Sequence, residues 1–324
     1  MTLARPPRRP TDLPAPGPAR PGDIAELNRV FSDAFTERYR KDGMTGVRVP
    51  QLNPAIWRYA LEDAGSGAQV WRDDSGEVVA FNIAHASGAE GWMGPLAVHP
   101  DWQGIGLGKA IVRAGVDSLV ARNTSVIGLE TMPRTMDNIG FYSALGFVPS
   151  RLTITVTAEA SPADSPVSLL SRMPASHADD LIAACGAVTG GRLPGYDYSR
   201  EIRLTAELGL GDTVLLERAG RVRGYALFHS VPLVEGRPRE ELRVLKLVVE
   251  HEADLDELVR LLSVAARRTG TRRLALRAQG DYAASYRRLI ALGARVRWTD
   301  LRMTAAGHEE PVAESGVLYS NWEI

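Results

Sequence analysis

Cysteine is almost absent from this 324-residue chain, in which Cys185 is the only one. A single thiol cannot form a disulfide within the chain, and the six histidines form no HExxH motif and no Cys/His cluster. We therefore expect a reducing compartment and no metal site. Cys185 itself is expected to be a small core residue.

Long apolar runs and an excess of one charge are also missing. No run approaches the roughly 20 apolar residues that span a bilayer, and the amino terminus lacks the apolar segment of a secretory signal. The formal net charge of −1 gives no general attraction to nucleic acids or acidic membranes. We expect a cytoplasmic protein that binds neither, with an oligomeric state that the composition leaves open.

Proline is abundant at the amino terminus, where seven of the first 21 residues are proline. Such a composition buries too little apolar area to order itself, so residues 1–21 are expected to be a flexible tail. Residues 22–157 then show helical and strand periodicities in turn. The predicted order is two helices, a hairpin around Gly76, and alternating strands and helices over 92–98, 106–122, 125–132, 137–145 and 150–157.

Much of this order returns after a linker at 158–166 that is rich in Ala, Ser, Pro and Asp. The hairpin turn at Gly76 recurs at Gly220, an offset of 144 residues, and the helix-ending Gly146 recurs at Gly293, an offset of 147. We therefore predict two tandem α+β domains, 22–157 and 167–324, as copies of one fold. The alternative is two unrelated α+β domains that share their strand order.

A glycine-rich segment, Gln103 to Lys109, joins a predicted strand to a predicted helix. Small residues let backbone N–H groups approach a ligand, and the unpaired N–H groups of a first helical turn favour a phosphate. A P-loop would need Gly at position 103 and Ser or Thr at position 110, where the chain has Gln103 and Ala110. A dinucleotide pattern that starts at Gly104 has Lys109 in place of its last glycine.

The spacing Gln-x-x-Gly-x-Gly at Gln103, Gly106 and Gly108 resembles instead the pyrophosphate-binding signature of the GNAT acyltransferase superfamily. The run from Tyr142 to Phe147 resembles the signature of that family's closing helix. The resemblance covers residues 22–157, with the specific motifs in 95–147. It implies an α/β three-layer GNAT-like fold, in which each domain has a mixed central sheet flanked by helices.

The resemblance also implies an N-acyltransferase that moves an acetyl or other short acyl group from acyl-CoA to a primary amine of a small molecule or peptide. The amine would attack directly, with acetyl-CoA or another acyl-CoA as co-substrate and no metal. A non-catalytic acyl-CoA sensor or a scaffold module is the alternative. The residues implied to bind the co-substrate are Leu96, Ala97, Val98, Gln103, Gly104, Ile105, Gly106, Leu107, Gly108, Lys109, Asn138 and Tyr142.

Two residues are candidates for proton transfer. Tyr142 lies in the family's usual position for the acid that protonates the departing thiolate, and its alternative role is that of a core aromatic. Glu130 is a candidate base, although a glutamate in that strand can equally face solvent or pair with a cation. No pattern identifies the acceptor amine.

The second copy lacks these features. Residues 250–256 contain no glycine and are acidic where a pyrophosphate would bind. With Gly293 aligned to Gly146, Leu289 stands opposite Tyr142. We therefore expect a degenerate second domain, one active site per chain, and a last strand formed by the apolar segment 316–324.

Overall fold

A computed structural model describes residues 13–162 and 165–323 of the chain. Most of the predicted tail, residues 1–12, lies outside the described residues. The prediction was wrong for Pro16–Pro18, which form strand β1 and pair with Gln69 to Trp71 in an antiparallel register. Proline fits there because an edge strand leaves one row of N–H groups unused, so the missing donor costs little.

The elements alternate as the periodicity predicted. In the first half they are β1 (Pro16–Pro18), α1 (Ile24–Lys41), α2 (Pro54–Ala64), β2 (Ala68–Arg72), β3 (Val78–Ser87), β4 (Glu90–Val98), α3 (Leu107–Ala121), β5 (Val126–Thr131), α4 (Met136–Ser143) and β6 (Phe147–Glu159). In the second half they are β7 (Ser168–Leu169), α5 (Ala175–Gly190), α6 (Ser199–Glu207), β8 (Gly211–Arg218), β9 (Arg221–His229), β10 (Glu241–Val249), α7 (Leu255–Arg268), β11 (Arg273–Gln279), α8 (Ala283–Ala291), β12 (Arg295–Ala305) and β13 (Val317–Ser320).

Local sequence explains where the helices begin and which face they bury. Asn53 caps α2 by accepting a hydrogen bond from the Ala55 N–H at 3.0 Å, and Pro54 occupies the first turn, where its missing N–H is not needed. Helix α1 buries Leu27 and Val30, which are three residues apart and so lie on one face. Each helix therefore presents one apolar stripe to the sheet.

The helices cover both faces of a mixed sheet, which makes the fold α+β with three layers. Helices α1 and α2 pack on one face, where their apolar residues join a core that continues into the second half of the chain. Helices α3 and α4 pack on the other face, around a smaller core that belongs mainly to the first half. Among the described helices, none is long and apolar enough to cross a membrane.

The two halves exchange their last strands within one continuous sheet. Its strand order is β1-β2-β3-β4-β5-β12-β6-β11-β10-β9-β8-β7, with β13 paired to β10. Strand β12 of the second half lies between β5 and β6, where Leu301 pairs with both Thr131 and Leu152. Strand β6 of the first half lies between β12 and β11. Since β6 runs to Glu159, the first two residues of the predicted linker at 158–166 are strand instead.

A buried ion network holds this exchange in register. The Arg302 side chain on β12 is fully buried and donates from Nε to the Glu130 carboxylate on β5 at 2.9 Å. The same guanidinium donates to Glu310 at 2.5 Å and to the Ser320 carbonyl. It also stacks over the Trp322 ring at 4.0 Å from the ring centroid. One arginine thus contacts both halves and residues 316–323, the C-terminal segment.

A second buried contact joins the halves at the start of β4. Lys246 on β10 lies 3.3 Å from the Glu90 carboxylate, and the Trp322 indole N–H donates to the same carboxylate at 2.7 Å. Glu90 and Lys246 are both almost fully buried, so each charge depends on the other. The C-terminal segment is therefore anchored at two points, by Arg302 and by Glu90.

Replacing Arg302 with Met should destabilise the chain strongly. The substitution removes the nearest cation from the buried Glu310 and one of the two cations from the buried Glu130, and the loss of one partner costs about 3–5 kcal/mol in comparable buried pairs. The measurement is the free energy of unfolding from a urea titration. Arg295→Met, at an exposed position on the same strand, is the control and should change that free energy by less than about 0.5 kcal/mol. Equal stability of the two variants would contradict the role given to Arg302.

Candidate active site

Strands β4 and β5 separate halfway along their length. Their parallel pairing runs from Glu90 with Val126 to Met93 with Leu129. Beyond Met93, the pairings of β4 in the described part of the chain are with β3 alone, from Leu96 with Asn82 to Val98 with Ala80. The opposite edge of β4 at 94–98 therefore faces a gap and can offer backbone hydrogen bonds to a ligand.

The glycine-rich segment turns back over the end of β4. Gly104 and Gly106 have φ values of 79° and 96°, in the left-handed region that glycine adopts without steric cost. The Gln103 side chain donates to the Val98 carbonyl at 3.1 Å and accepts from Lys41 Nζ at 3.2 Å. These contacts fix the segment between β4 and α1.

The turn leaves a row of donors at the start of α3. Within residues 13–162 and 165–323, the backbone N–H groups of Gly104 to Gly108 donate to no protein acceptor. Helix α3 begins at Leu107, so the positive end of its dipole lies at the same point. Donors and dipole together favour a phosphate group here.

A single cavity of about 570 Å³ joins this segment to the gap beside β4. The residues predicted to bind a co-substrate that line it are Leu96, Ala97, Val98, Gln103, Gly108, Asn138 and Tyr142. Gly104, Ile105, Gly106, Leu107 and Lys109 do not line it but form the turn and first helical residues beside it. Strand β4, the turn at 103–108 and helix α4 thus border one cavity.

Tyr142 lies on α4 with its ring between Phe141 and Phe147, at centroid distances of 5.2 and 6.1 Å. Burial raises the pKa of its phenol to about 12, so the group keeps its proton at neutral pH. One turn earlier, Asn138 donates to the Thr131 hydroxyl at 3.4 Å, which orients its amide at the cavity wall. Tyr142 is therefore held as a protonated donor that borders the cavity.

Glu130 also borders the cavity, but its carboxylate is already bound. Arg277 contacts it at 2.5 Å, Arg302 at 2.9 Å and the Thr153 hydroxyl at 2.5 Å. Burial acts to raise the pKa of Glu130, but Arg277 and Arg302 outweigh it, so the pKa lies below its ordinary value. Of the alternatives open from the sequence, pairing with a cation is the one observed, and it makes Glu130 a poor proton acceptor.

Two acidic residues that sequence reasoning missed lie beside Glu130. Asp300 on β12 and Glu323 in the C-terminal segment both line the cavity. Burial and the nearby Glu323 raise the pKa of Asp300 to about 7, and burial raises the pKa of Glu323. Asp300 lies here because β12 is inserted beside β5, a long-range pairing that the local sequence pattern does not indicate.

The second copy has no comparable gap in the described structure. Strands β10 and β11 pair from Glu241 to Arg243 and then part, but β13 pairs with β10 at 246–249 and occupies the space. The Gln279 side chain on β11 forms two hydrogen bonds to the Ser320 backbone, at 3.0 and 3.2 Å. A Cβ at Gly316 would lie 2.2 Å from the Val249 carbonyl oxygen, which shows how closely the segment is packed.

Acidic side chains just before α7 form ion pairs with arginines of the same half. Glu250 pairs with Arg221 and Arg223, at 2.7 and 2.8 Å, and Asp254 pairs with Arg218 at 3.2 Å. Leu289, opposite Tyr142 in the repeat, is fully buried. Over residues 165–323, the second copy therefore keeps the fold and lacks the gap, the cradle and the phenol.

A gap between two parallel strands that leads to a phosphate cradle at a helix start is the arrangement of the GNAT acyltransferase superfamily. Residues 26–147 match the Acetyltransferase (GNAT) family. Residues 26–147 therefore form a domain of the GNAT type.

Individual comparisons agree with this assignment. The chain is 31% identical over 126 residues to serotonin N-acetyltransferase 2 of Oryza sativa subsp. japonica, a match that covers 39% of this chain and 56% of the relative. It spans about half the length of the curated relatives that it matches. A putative acetyltransferase from Pyrococcus horikoshii has the same fold over 95% of this chain and 94% of its own, with a TM-score of 0.66 and 16% identity.

A tandem GNAT protein from the clavulanic acid biosynthesis pathway superposes on 92% of this chain and 99% of its own, with a TM-score of 0.55 and 15% identity. At these identities the two structures establish the fold alone. Their coverage shows that the likeness extends through both halves, including the second copy.

Replacing Gly106 with Ala should weaken the binding of coenzyme A about tenfold. A Cβ in the left-handed region costs roughly 1–2 kcal/mol, and the turn relieves this cost by moving its N–H groups out of place. Titration calorimetry with coenzyme A measures the effect. Gly140→Ala, in the interior of α4 with open space around the new methyl group, is the control and should bind as the unsubstituted chain does. Similar affinities for both variants would show that the turn does not hold the phosphates.

Proposed function

We propose that the chain is an N-acyltransferase that moves an acetyl or other short acyl group from acyl-CoA to a primary amine. Its one active site per chain lies in the first half. The observation that carries this proposal is a single cavity that joins the free edge of β4, the donor row at Gly104 to Gly108, and the protonated phenol of Tyr142.

The geometry supports an extended co-substrate that lies along β4. The free edge at 96–98 can pair with the amides of a pantetheine arm, and the N–H groups of 104–108 can bind its pyrophosphate. Lys41 contacts Gln103, so its positive charge lies beside the same phosphates, and Asn138 borders the arm. An acyl-CoA supplies a thioester carbonyl that is activated toward amines.

The protein's part in the reaction is mainly orientation and proton transfer. The amine reaches the thioester from the open side of the cavity, and Tyr142 donates a proton to the sulfur as the carbon–sulfur bond breaks. An acyl-enzyme is not required. The one cysteine cannot supply such a step, because Cys185 is fully buried in α5 and burial raises the pKa of its thiol to about 12.

The comparisons support an amine as the acceptor. The rice relative is named as an N-acetyltransferase of serotonin, which is an amine. That match covers 39% of this chain and 56% of the relative, so it supports the reaction class more than a particular amine.

Tyr142→Phe should lower kcat by about 10²–10⁴-fold, the usual contribution of one proton-transfer group, and leave acetyl-CoA affinity unchanged. Tyr286→Phe on α8 removes a hydroxyl from the second copy and should change neither value. Steady-state turnover across an amine panel and acetyl-CoA titration measure both quantities. Unchanged turnover in Tyr142→Phe would remove this residue from the mechanism. Tight acetyl-CoA binding without transfer to any amine would indicate a sensor instead.

A further inference from the structure

We propose that the second half of the chain builds the acceptor site of the first copy and makes it specific for a small aromatic amine. Asp300 and Glu323 bind the ammonium group of that amine, and Asp300 takes its proton. This inference rests on the proposed function and adds a substrate class and the residues that recognise it.

Three carboxylates from separate parts of the chain converge on one arginine. Arg277 on β11 contacts Glu130 at 2.5 Å, Asp300 at 3.1 Å and Glu323 at 2.8 Å. Glu130 has a second cation in Arg302, whereas Arg277 is shared among all three. The three carboxylates line the cavity, and Arg277 lies behind them. The cavity wall at this point therefore presents acidic oxygens.

Asp300 and Glu323 differ in how open they are to a ligand. The Asp300 side chain is 6% exposed, with Oδ1 accepting from the Trp298 indole and Oδ2 facing Arg277. The Glu323 side chain is 52% exposed. Glu323 is thus placed to meet an incoming cation first, with the more buried Asp300 deeper in the wall.

The surroundings of Asp300 and Glu323 raise the pKa values of both carboxyl groups, which favours proton transfer. Burial and Glu323 raise the pKa of Asp300 to about 7, against the opposing effect of Arg277 and with a further rise from Glu130. The Glu323 carboxylate lies at the cavity wall although its side chain is half exposed, and partial desolvation there together with Glu130 raises its pKa, opposed by Arg277 and Arg243. Burial, Glu323 and Asp300 raise the pKa of Tyr39, while Arg134 acts in the opposite direction. An entering ammonium relieves this repulsion, and a carboxylate of such a pKa is a competent base near neutral pH.

Aromatic side chains line the same cavity as the two carboxylates. They are Phe31, Phe35 and Tyr39 from α1, Trp298 from β12 and Trp322 from the C-terminal segment. Phe31 and Phe35 lie 4.6 Å apart between ring centroids, and Arg134 lies over the Trp298 ring at 5.6 Å. Such walls bind an apolar aromatic group, since ring contacts are favourable beyond the area that they bury.

Segments from both halves form the wall of the cavity. The Asn53 backbone N–H donates to the Leu233 carbonyl at 2.9 Å, and its side-chain amide donates to the Pro232 carbonyl at 3.0 Å. Leu52 and Val234 form an isolated β-bridge, and Leu233 and Val234 line the cavity. The segment between α1 and α2 is thus fastened to the second half, which favours a compact acceptor over an extended peptide.

The proton balance follows from these positions. The amine nitrogen forms a bond to the thioester carbonyl carbon as the carbon–sulfur bond breaks. Of the two protons that the ammonium group gives up in becoming an amide, one is taken by Asp300 and released to solvent. The other replaces the proton that Tyr142 has donated to the sulfur. No oxidant or further reactant is needed.

The test compares 2-phenylethylamine with phenylalanine, which carries an extra carboxylate beside the amine. The unsubstituted chain should prefer 2-phenylethylamine by about 100-fold or more in kcat/KM, because the extra carboxylate meets like charges. Glu323→Gln and Asp300→Asn should each lower kcat/KM for 2-phenylethylamine at least about tenfold and reduce the preference. Glu314→Gln, at an exposed position just before β13, is the control and should leave both values unchanged.

Two readouts separate a direct role from a structural one. Calorimetry on the protein–CoA complex should show 2-phenylethylamine bound about tenfold more weakly by Glu323→Gln, with coenzyme A affinity unchanged. The kcat/KM of the unsubstituted chain should rise with pH through an apparent pKa near that of Asp300, about 7, and Asp300→Asn should lose this rise.

The inference is overturned if both variants keep the rates and preference of the unsubstituted chain, or if a peptide that starts with alanine is a better acceptor than 2-phenylethylamine. Failure of the proposed function looks different, since it would give coenzyme A binding without transfer to any amine. Transfer to amines without dependence on Asp300 or Glu323 overturns the inference alone.

Discussion

The exchange of β6 and β12 is the constraint on which the rest of the structure depends. Since β12 separates β5 from β6, and β6 separates β12 from β11, neither half can complete its sheet without a strand from the other. In the order β5-β12-β6-β11, strands of the first half and of the second half alternate. A slip of β12 by one residue would turn Asp300 and Arg302 to the opposite face, so the register of this pairing fixes the chemistry of the site.

Buried charges at the exchange explain how that register is specified. In the observed alignment Arg302 on β12 meets the Glu130 carboxylate on β5, and a shift of β12 would leave these buried charges without each other. Glu90 and Lys246 impose the same condition on the contact between β4 and β10. Pairs of this kind add little net stability, since desolvation offsets attraction, and their main effect here is to make wrong alignments costly.

Much of the fold could be predicted from the sequence because it depends on local patterns. Helical periodicity gave α1 to α4 and α7, and the recurrence of Gly76 and Gly146 at Gly220 and Gly293 gave the repeat. Periodicity carries no information on which strand lies beside which, so the insertion of β12 could not be predicted. The cradle at Gln103 is a contiguous motif, so its spacing is enough to predict it. Asp300 and Glu323 reach the cavity only through long-range strand pairing, which such a motif does not show.

The C-terminal segment serves two clefts at once. Its strand β13 closes the gap between β10 and β11, and the residues that follow, Trp322 and Glu323, form part of the wall of the cavity beside β4. Strand β13 thus fills the cleft of the second copy, and this pairing positions Trp322 and Glu323 at the cavity of the first copy. Any sequence change that loosens β13 in one copy therefore reshapes the pocket of the other, and the two copies cannot diverge independently.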